Sequence, residues 1–188
     1  MPEGVRPHFF GGTLHAFNKS CGGIRPIAVG LTLRRLVAKA ACAKAVVKCG
    51  PILAPRQMGV GVKGGAEAVA HAARLFLTEM GPTQVLVKLD FSNAFNSVRR
   101  DAVLEAVAQH VPELHAFAVS SYGAPSILQF GSHQISSEEG IQQGDPLGPL
   151  LFSLALNDPL QGLRGSSSLA IWMASASGEE WMRSQQRL

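Results

Sequence analysis

The pattern of apolar and polar residues along this chain changes its period several times, and each period predicts a different kind of element. Residues 13–29 alternate with a period of two on either side of a Gly-containing turn, which predicts a β-hairpin. Because proline has no N–H to donate to a ladder, Pro26 predicts an open edge on the second strand of that hairpin. Residues 126–130 and 133–136 flank a Gly-Ser pair and predict another hairpin.

Other segments show the period of 3.6 residues that is typical of amphipathic helices. The segment 31–49 is predicted to be such a helix, ended by Gly50-Pro51, with its apolar stripe facing the core. Further helices are predicted at 66–80, 100–110 and 147–156. The stripe of the first helix consists of Leu33, Leu36, Val37, Ala40 and Ala41.

The run at 85–89 is short and almost continuously apolar, which is typical of a strand that is covered on both faces. Asp90 follows it directly. A carboxylate at the end of a buried strand costs free energy unless it is solvated, paired or bound to a cation. Taken alone, Asp90 is interpreted as a turn or capping residue.

Charge divides the chain into two halves. Residues 1–100 contain 14 Lys and Arg against 4 Asp and Glu, whereas residues 101–188 contain 3 against 9. A basic N-terminal half is the electrostatic footprint of a protein that binds nucleic acid or polyphosphate. A solvated basic surface explains the charge equally well, so charge alone leaves both interpretations open.

Length and composition exclude several classes of protein. A chain of 188 residues suits one domain or two small lobes, and 46% apolar with 16% charged residues is not a disordered composition. No run of 18 apolar residues predicts a membrane span, and the N-terminus lacks a secretion signal. Three cysteines without paired or zinc spacing favour reduced thiols in an intracellular protein, nuclear or cytoplasmic.

Three well-separated strings change the interpretation of the single residues. The strings are Gly22-Gly23-Ile24-Arg25-Pro26-Ile27-Ala28-Val29-Gly30, Lys88-Leu89-Asp90-Phe91-Ser92-Asn93-Ala94-Phe95-Asn96 and Glu139-Gly140-Ile141-Gln142-Gln143-Gly144-Asp145-Pro146-Leu147-Gly148-Pro149-Leu150-Leu151-Phe152. Together, in this order and at this spacing, they resemble the reverse transcriptase domain of non-LTR retrotransposons, over about residues 14–160. Three separated motifs are far more specific than one short pattern.

The resemblance implies an α+β fold shaped like a right hand. A fingers lobe would occupy residues 1–83, and a partial palm would occupy 84–170, with 112–145 returning toward the fingers. The palm would be an antiparallel sheet backed by helices. Residues 171–188 would be an unrelated tail.

The resemblance also implies a site for an incoming deoxynucleotide. Asp90 and the backbone carbonyl of Phe91 would bind Mg²⁺, which takes oxygen ligands. The amides of Asn93, Ala94 and Phe95 would cradle the triphosphate. The ring of Phe95 would exclude a 2′-hydroxyl and so select deoxynucleotides, although a position in the core explains a phenylalanine as well.

Four further residues complete the implied site. Arg25 would contact base and phosphate through its planar guanidinium, and Lys19 would be a second phosphate contact unless it is merely solvated. Gln143 and Gly144 would grip template and nucleotide, because glycine permits close backbone approach and glutamine offers both a donor and an acceptor. Asp145 is interpreted as a structural cap of the helix that follows.

One motif of the family is missing from the sequence. The family carries an aromatic residue, any residue and two aspartates shortly after the Gln-Gly-Asp-Pro turn, but the chain contains no Asp-Asp pair. Residues 170–174, Ala-Ile-Trp-Met-Ala, stand at the expected place, and their codons read two nucleotides later allow Tyr-Leu-Asp-Gly. We therefore expect a decayed or shifted reading frame. Since one carboxylate cannot hold two Mg²⁺ ions, we also expect an inactive chain.

The sequence therefore predicts a truncated fragment of an RNA-directed DNA polymerase. Its partners would be an RNA template, primer DNA and deoxynucleoside triphosphates, with Mg²⁺ as cofactor and no membrane. The alternatives are a non-catalytic nucleic-acid-binding remnant that uses only the basic fingers, and a translated frame that never folds. We also expect the apolar face of helix 147–156 to lose its cover and to promote aggregation.

Overall fold

The chain folds into helices and two β-hairpins, as a computed structural model shows for residues 2, 4–19, 22–87 and 91–161. Asp90 and the segment 170–174 lie outside these described residues, so the predictions for them stay predictions. The elements, in chain order, are α1 (Arg6–Phe9), β1 (Gly12–Asn18), β2 (Ile24–Gly30), α2 (Thr32–Leu53), α3 (Gly65–Glu79), α4 (Ala94–Ser97), α5 (Arg100–His110), α6 (Pro112–Tyr122), β3 (Ser126–Phe130), β4 (His133–Ser137) and α7 (Gly148–Gln161). The expected α+β class is confirmed.

Both predicted hairpins are present, and they join into one sheet in the order β2-β1-β3-β4. The pairs β1–β2 and β3–β4 are antiparallel, whereas β1 and β3 run parallel to each other, so this sheet is mixed. Strand β2 lies at the edge, as Pro26 predicted. The two hairpins approach closely because residue 11 is glycine: a Cβ there would lie 1.8 Å from the carbonyl oxygen of Ile127.

The hydrophobic core lies between α2, α5, α6 and α7 rather than against the sheet. Helix α7 is buried along most of its length, and Leu150, Leu151 and Leu154 have no exposed surface. The expectation that this helix would lose its cover is therefore wrong. Helices α5 and α2 contact it directly and supply Val103, Val107 and other apolar side chains to the same core cluster.

Helix α2 is longer than predicted, and a different face is buried. It continues through Pro51 to Leu53. Leu33 and Leu36 of the predicted inward stripe are 62% and 64% exposed. The buried face has the same helical period but lies beside the predicted one. It includes the charged residue Arg34, which is buried because it forms hydrogen bonds with residues outside α2, as described below. The buried residues are Arg34, Ala38, Ala45, Cys49 and Leu53.

The strand predicted at 85–89 is absent over its described part. Residues 84–87 have no regular structure, and Val85 is 76% exposed. A strand needs neighbours that take its N–H and C=O groups, and no described strand lies beside this segment. The antiparallel palm sheet accordingly stays a prediction. None of the helices among the described residues has the length and apolar content that crossing a membrane requires.

Candidate functional site

The loop between β4 and α7, which contains the predicted site residues 143–144, contacts the segment that contains the predicted site residues 93–95. We call residues 140–145 the Gln-Gly turn. The N–H of Ile141 donates a hydrogen bond to the carbonyl oxygen of Phe95 over 2.7 Å. Gly140 has a φ of +65°, and a Cβ on it would lie 2.4 Å from the carbonyl carbon and oxygen of Asn96. The short helix α4 and the Gln-Gly turn therefore form one packed unit.

The same turn contacts the edge strand of the first hairpin. The N–H of Ala28 in β2 donates to the carbonyl oxygen of Gln143 over 2.7 Å. Gly144 has a φ of +111°, and a Cβ on it would lie 2.6 Å from the carbonyl oxygen of Ala28. Only glycine allows this conformation and this approach. At Ala28 the edge of β2 therefore pairs with the Gln-Gly turn, and no strand of the described residues lies on that side.

A buried ion pair lies directly beneath the turn. The Nη2 of Arg34 is 2.8 Å from the Oδ2 of Asp145, and the two side chains are 3% and 4% exposed. The other carboxylate oxygen of Asp145 accepts from the N–H of Leu147 over 2.9 Å, at the start of α7. This agrees with the structural interpretation of Asp145 as a cap of that helix.

Uncharged side chains surround this ion pair and add hydrogen bonds. The Tyr122 hydroxyl donates to the Asp145 carboxylate. Burial, and next the charge of Asp145, hold the pKa of Tyr122 well above its usual range, so the hydroxyl keeps its proton. The side-chain amide of Gln142 donates to the carbonyl oxygen of Phe10 and to the Oγ of Ser126, over 3.1 and 3.0 Å. Residues from five parts of the chain meet here: α2, α6, β3, the Gln-Gly turn and the residue Phe10, which precedes β1.

A second arginine, Arg100, forms hydrogen bonds with the segment that connects β4 to the Gln-Gly turn. The guanidinium of Arg100 donates to the carbonyl oxygens of Gly140 and Ser137, over 2.9 Å in both cases. It also lies 5.4 Å from the centroid of the Tyr122 ring. Burial lowers the pKa of Arg100, but a guanidinium stays charged in any case. Arg100 therefore fixes the segment that leads from β4 into the turn.

The two glutamines of the turn have different environments. Gln142 is buried, and its side chain hydrogen-bonds to Arg34, Phe10 and Ser126. Gln143 is half-buried, and within the described residues its side-chain amide makes no hydrogen bond. Of the two, Gln143 is therefore the one whose side chain is available to a ligand.

Phe95 lies next to the turn and also belongs to the edge of the core. Its ring stacks on Phe152 of α7, with the centroids 4.9 Å apart and the planes at 17°. It is half-buried, so part of the ring is available to a ligand. Asn93 precedes α4 with a φ of +51°, Ala94 is half-buried, and Phe91 is 50% exposed.

The predicted site residues of the first hairpin, Arg25 and Lys19, lie further from the turn. Arg25 is three residues before Ala28 in β2, which corresponds to about 10 Å along the strand. Side chains alternate along a strand, so Arg25 is on the face of Ile27, and the Cγ2 of Ile27 lies 3.3 Å from the Cβ position of Gly144. Lys19 follows β1, and its N–H donates to the carbonyl oxygen of Gly23.

Sequence reasoning missed the residues that hold the turn in place. Arg34 belongs to a helix with many basic residues, and its neighbours Arg35, Lys39 and Lys44 are exposed. No spacing in the sequence distinguishes it from them. Within the described ranges, no cluster of three or more His, Cys, Asp or Glu side chains could hold a metal ion.

Comparison with known proteins gives two matches. The model of the family described as "Reverse transcriptase (RNA-dependent DNA polymerase)" matches residues 17–173. The chain is also 29% identical over 159 residues to the retrotransposable element SLACS 132 kDa protein of Trypanosoma brucei gambiense. That match covers 81% of this chain and 13% of the length of the relative.

Proposed function

Because the chain belongs to the reverse transcriptase (RNA-dependent DNA polymerase) family, we propose that it is a fragment of the RNA-directed DNA polymerase of a non-LTR retrotransposon. The reaction of the complete enzyme would extend primer DNA with deoxynucleoside triphosphates on an RNA template. The match to a retrotransposable element protein supports this origin.

One observation carries the proposal: the Gln-Gly turn contacts both α4 and the hairpin β1–β2. These contacts are the hydrogen bonds from Ile141 to Phe95 and from Ala28 to Gln143. Residues of three motifs that are far apart in sequence thereby come to one region. A site that binds base, sugar and phosphate of one nucleotide needs groups gathered in this way.

Each residue of this region would have a separate role toward the nucleotide. The free amide of Gln143 would hydrogen-bond the ligand, and Gly144 would let the backbone approach it. The exposed part of the Phe95 ring would lie under the sugar and exclude a 2′-hydroxyl. Arg25 and Lys19 would bind phosphate from the hairpin.

The proposed division of the chain is fingers at 1–83 and a partial palm at 84–170, with 112–145 returning toward the fingers. The pairing of β3 with β1 supports that return, because it places residues 126–137 in the same sheet as the first hairpin. Mg²⁺ would be held by Asp90 and the carbonyl of Phe91, and when bound it would neutralise charge on the triphosphate.

We also propose that the chain binds its ligands without extending a primer. The support is the absence of an Asp-Asp pair from the sequence, which leaves Asp90 as the one carboxylate that matches the metal motifs of the family. The rival function is a remnant that binds nucleic acid without any nucleotide site. The exposed basic residues Arg35, Lys39 and Lys44 of α2 favour general nucleic-acid binding in either case.

The experiment combines binding and extension on one substrate, a labelled DNA primer annealed to an RNA template. Binding is titrated at several salt concentrations, and extension is assayed with deoxynucleotides and Mg²⁺. We expect binding that weakens with salt and no extension. Extension would overturn the inactivity proposal, and absence of binding at low salt would overturn the function. Binding of the duplex without any affinity for deoxynucleotides would establish the remnant instead.

A further inference from the structure

The buried guanidinium of Arg34 donates to three acceptors in two segments, the one that precedes β1 and the Gln-Gly turn. Its Nη1 donates to the carbonyl oxygen of Phe10 over 2.7 Å and to the Oε1 of Gln142 over 2.9 Å. Its Nη2 donates to Asp145 over 2.8 Å. A buried charge is costly unless it is fully paired, so these acceptors and the guanidinium require one another.

Two of these three acceptors flank the predicted nucleotide grip. Gln142 and Asp145 immediately precede and follow the Gln143-Gly144 dipeptide. Arg34 therefore holds both ends of the dipeptide by side-chain hydrogen bonds, and the backbone of the dipeptide accepts a hydrogen bond from β2. The side-chain amide of Gln143 is left for a ligand, as described above.

The guanidinium also lies close to the end of β2 and between two aromatic rings. A Cβ on Gly30 would lie 3.3 Å from the Nη1 of Arg34. The guanidinium carbon is 5.7 Å from the ring centroid of Phe10 and 5.9 Å from that of Tyr122. A planar guanidinium can face rings while its two terminal nitrogens donate to acceptors that lie apart, whereas all the donors of lysine are on a single nitrogen.

From this geometry we propose that Arg34 is a positioning residue for the nucleotide site: its buried ion pair with Asp145 sets where Gln143 and Gly144 lie against the fingers hairpin. This inference rests on the proposed function. Arg34 would not touch the nucleotide. It would act through the Gln-Gly turn, and a shift of the turn by a fraction of an ångström would weaken nucleotide binding.

The test compares Arg34→Lys and Tyr122→Phe with the matched control Lys48→Met. Lys48 is on the same helix and forms an exposed ion pair with Glu113 over 2.8 Å, so its loss perturbs α2 without touching the turn. Tyr122→Phe removes one donor to Asp145 and keeps the ring, so it gives a second variant if Arg34→Lys fails to fold.

Two readouts separate positioning from general stability. The first is hydrogen exchange of the Ala28 amide, which donates to Gln143, relative to the core amides of Val107 and Leu154. The second is the affinity for dTTP opposite a template adenine, on a primer–RNA template. We expect faster exchange at Ala28 with little change at the core amides, and an affinity about ten- to a hundredfold lower in Arg34→Lys. The control should match the wild type.

Several outcomes would overturn the inference. Unchanged Ala28 exchange and unchanged affinity in folded Arg34→Lys and Tyr122→Phe would do so. Equal acceleration of all three amides would also do so, because it would show a purely structural role. If the wild type binds no dTTP, the proposed function fails, and the Ala28 exchange still decides whether Arg34 positions the turn.

Discussion

Substitution of Gly140 by alanine tests the contact between α4 and the Gln-Gly turn most severely. The new Cβ would lie 2.4 Å from two backbone atoms of Asn96 and 2.5 Å from its Cα. Backbone atoms cannot rotate away as a side-chain end can, so either the turn or α4 must move. The positive φ of +65° adds a second penalty.

The magnitude follows from these two causes. A left-handed conformation costs an alanine about 1–2 kcal/mol, and overpacking costs about 1–3 kcal/mol more. Gly140→Ala should therefore lower the free energy of unfolding by about 2–5 kcal/mol. Gly131 is a matched control, because its φ is +58° and a Cβ on it would meet nothing within 4 Å. Gly131→Ala should lose only about 1–2 kcal/mol.

The assay is denaturant unfolding of both variants beside the wild type, monitored by far-UV circular dichroism. The difference between the two variants isolates the steric contribution, provided that the denaturant slope is unchanged. We also expect Gly140→Ala, but not Gly131→Ala, to weaken dTTP binding. Equal losses of stability in the two variants would refute the packing of Gly140 against Asn96.

Three further predictions concern the core, the first hairpin and a thiol. Phe152→Ala, which removes a buried ring that stacks on Phe95, should cost about 3–5 kcal/mol in denaturant unfolding, and a loss below about 1 kcal/mol would contradict that packing. Arg25→Ala should weaken binding of dTTP while it changes stability by no more than about 0.5 kcal/mol, and unfolding with normal binding of the folded fraction would make Arg25 structural. Cys49 has no exposed surface and burial raises the pKa of its thiol, so mass spectrometry should detect labelling by a thiol reagent only after denaturant is added. Rapid labelling of Cys49 in the folded chain would contradict that burial.

Elements with local signals were predictable from the sequence. Both hairpins combine period-two alternation with a Gly-containing turn, and α5 spans the predicted residues 100–110. Helix α6 was not predicted as a helix, although Pro112 at its first turn is a recognised start signal. The segment 85–87 reads as a strand, but strand formation depends on neighbours that its own sequence does not specify.

The buried face of α2 shows why part of the site was not predictable. Two stripes of this helix have the same period, one through Leu33 and one through Arg34, and apolarity favours the first. The second is buried because Asp145, 111 residues later, pairs with Arg34. The pattern of apolar and polar residues within α2 contains no information about a partner that is 111 residues away in the sequence. The residues of the three strings, by contrast, could be identified as candidate site residues from the family resemblance alone. Their roles stay predictions.

The central proposal is that Arg25, Phe95 and the Gln-Gly turn form a site for a deoxynucleotide. Its most direct test is equilibrium binding of dUTP, with UTP as the matched ribonucleotide, to the chain on a primer–RNA template with Mg²⁺. The account predicts that dUTP binds more tightly than UTP, that Phe95→Ala reduces this preference, and that no primer is extended. Equal affinity for dUTP and UTP, unaffected by Phe95→Ala, would contradict the proposal.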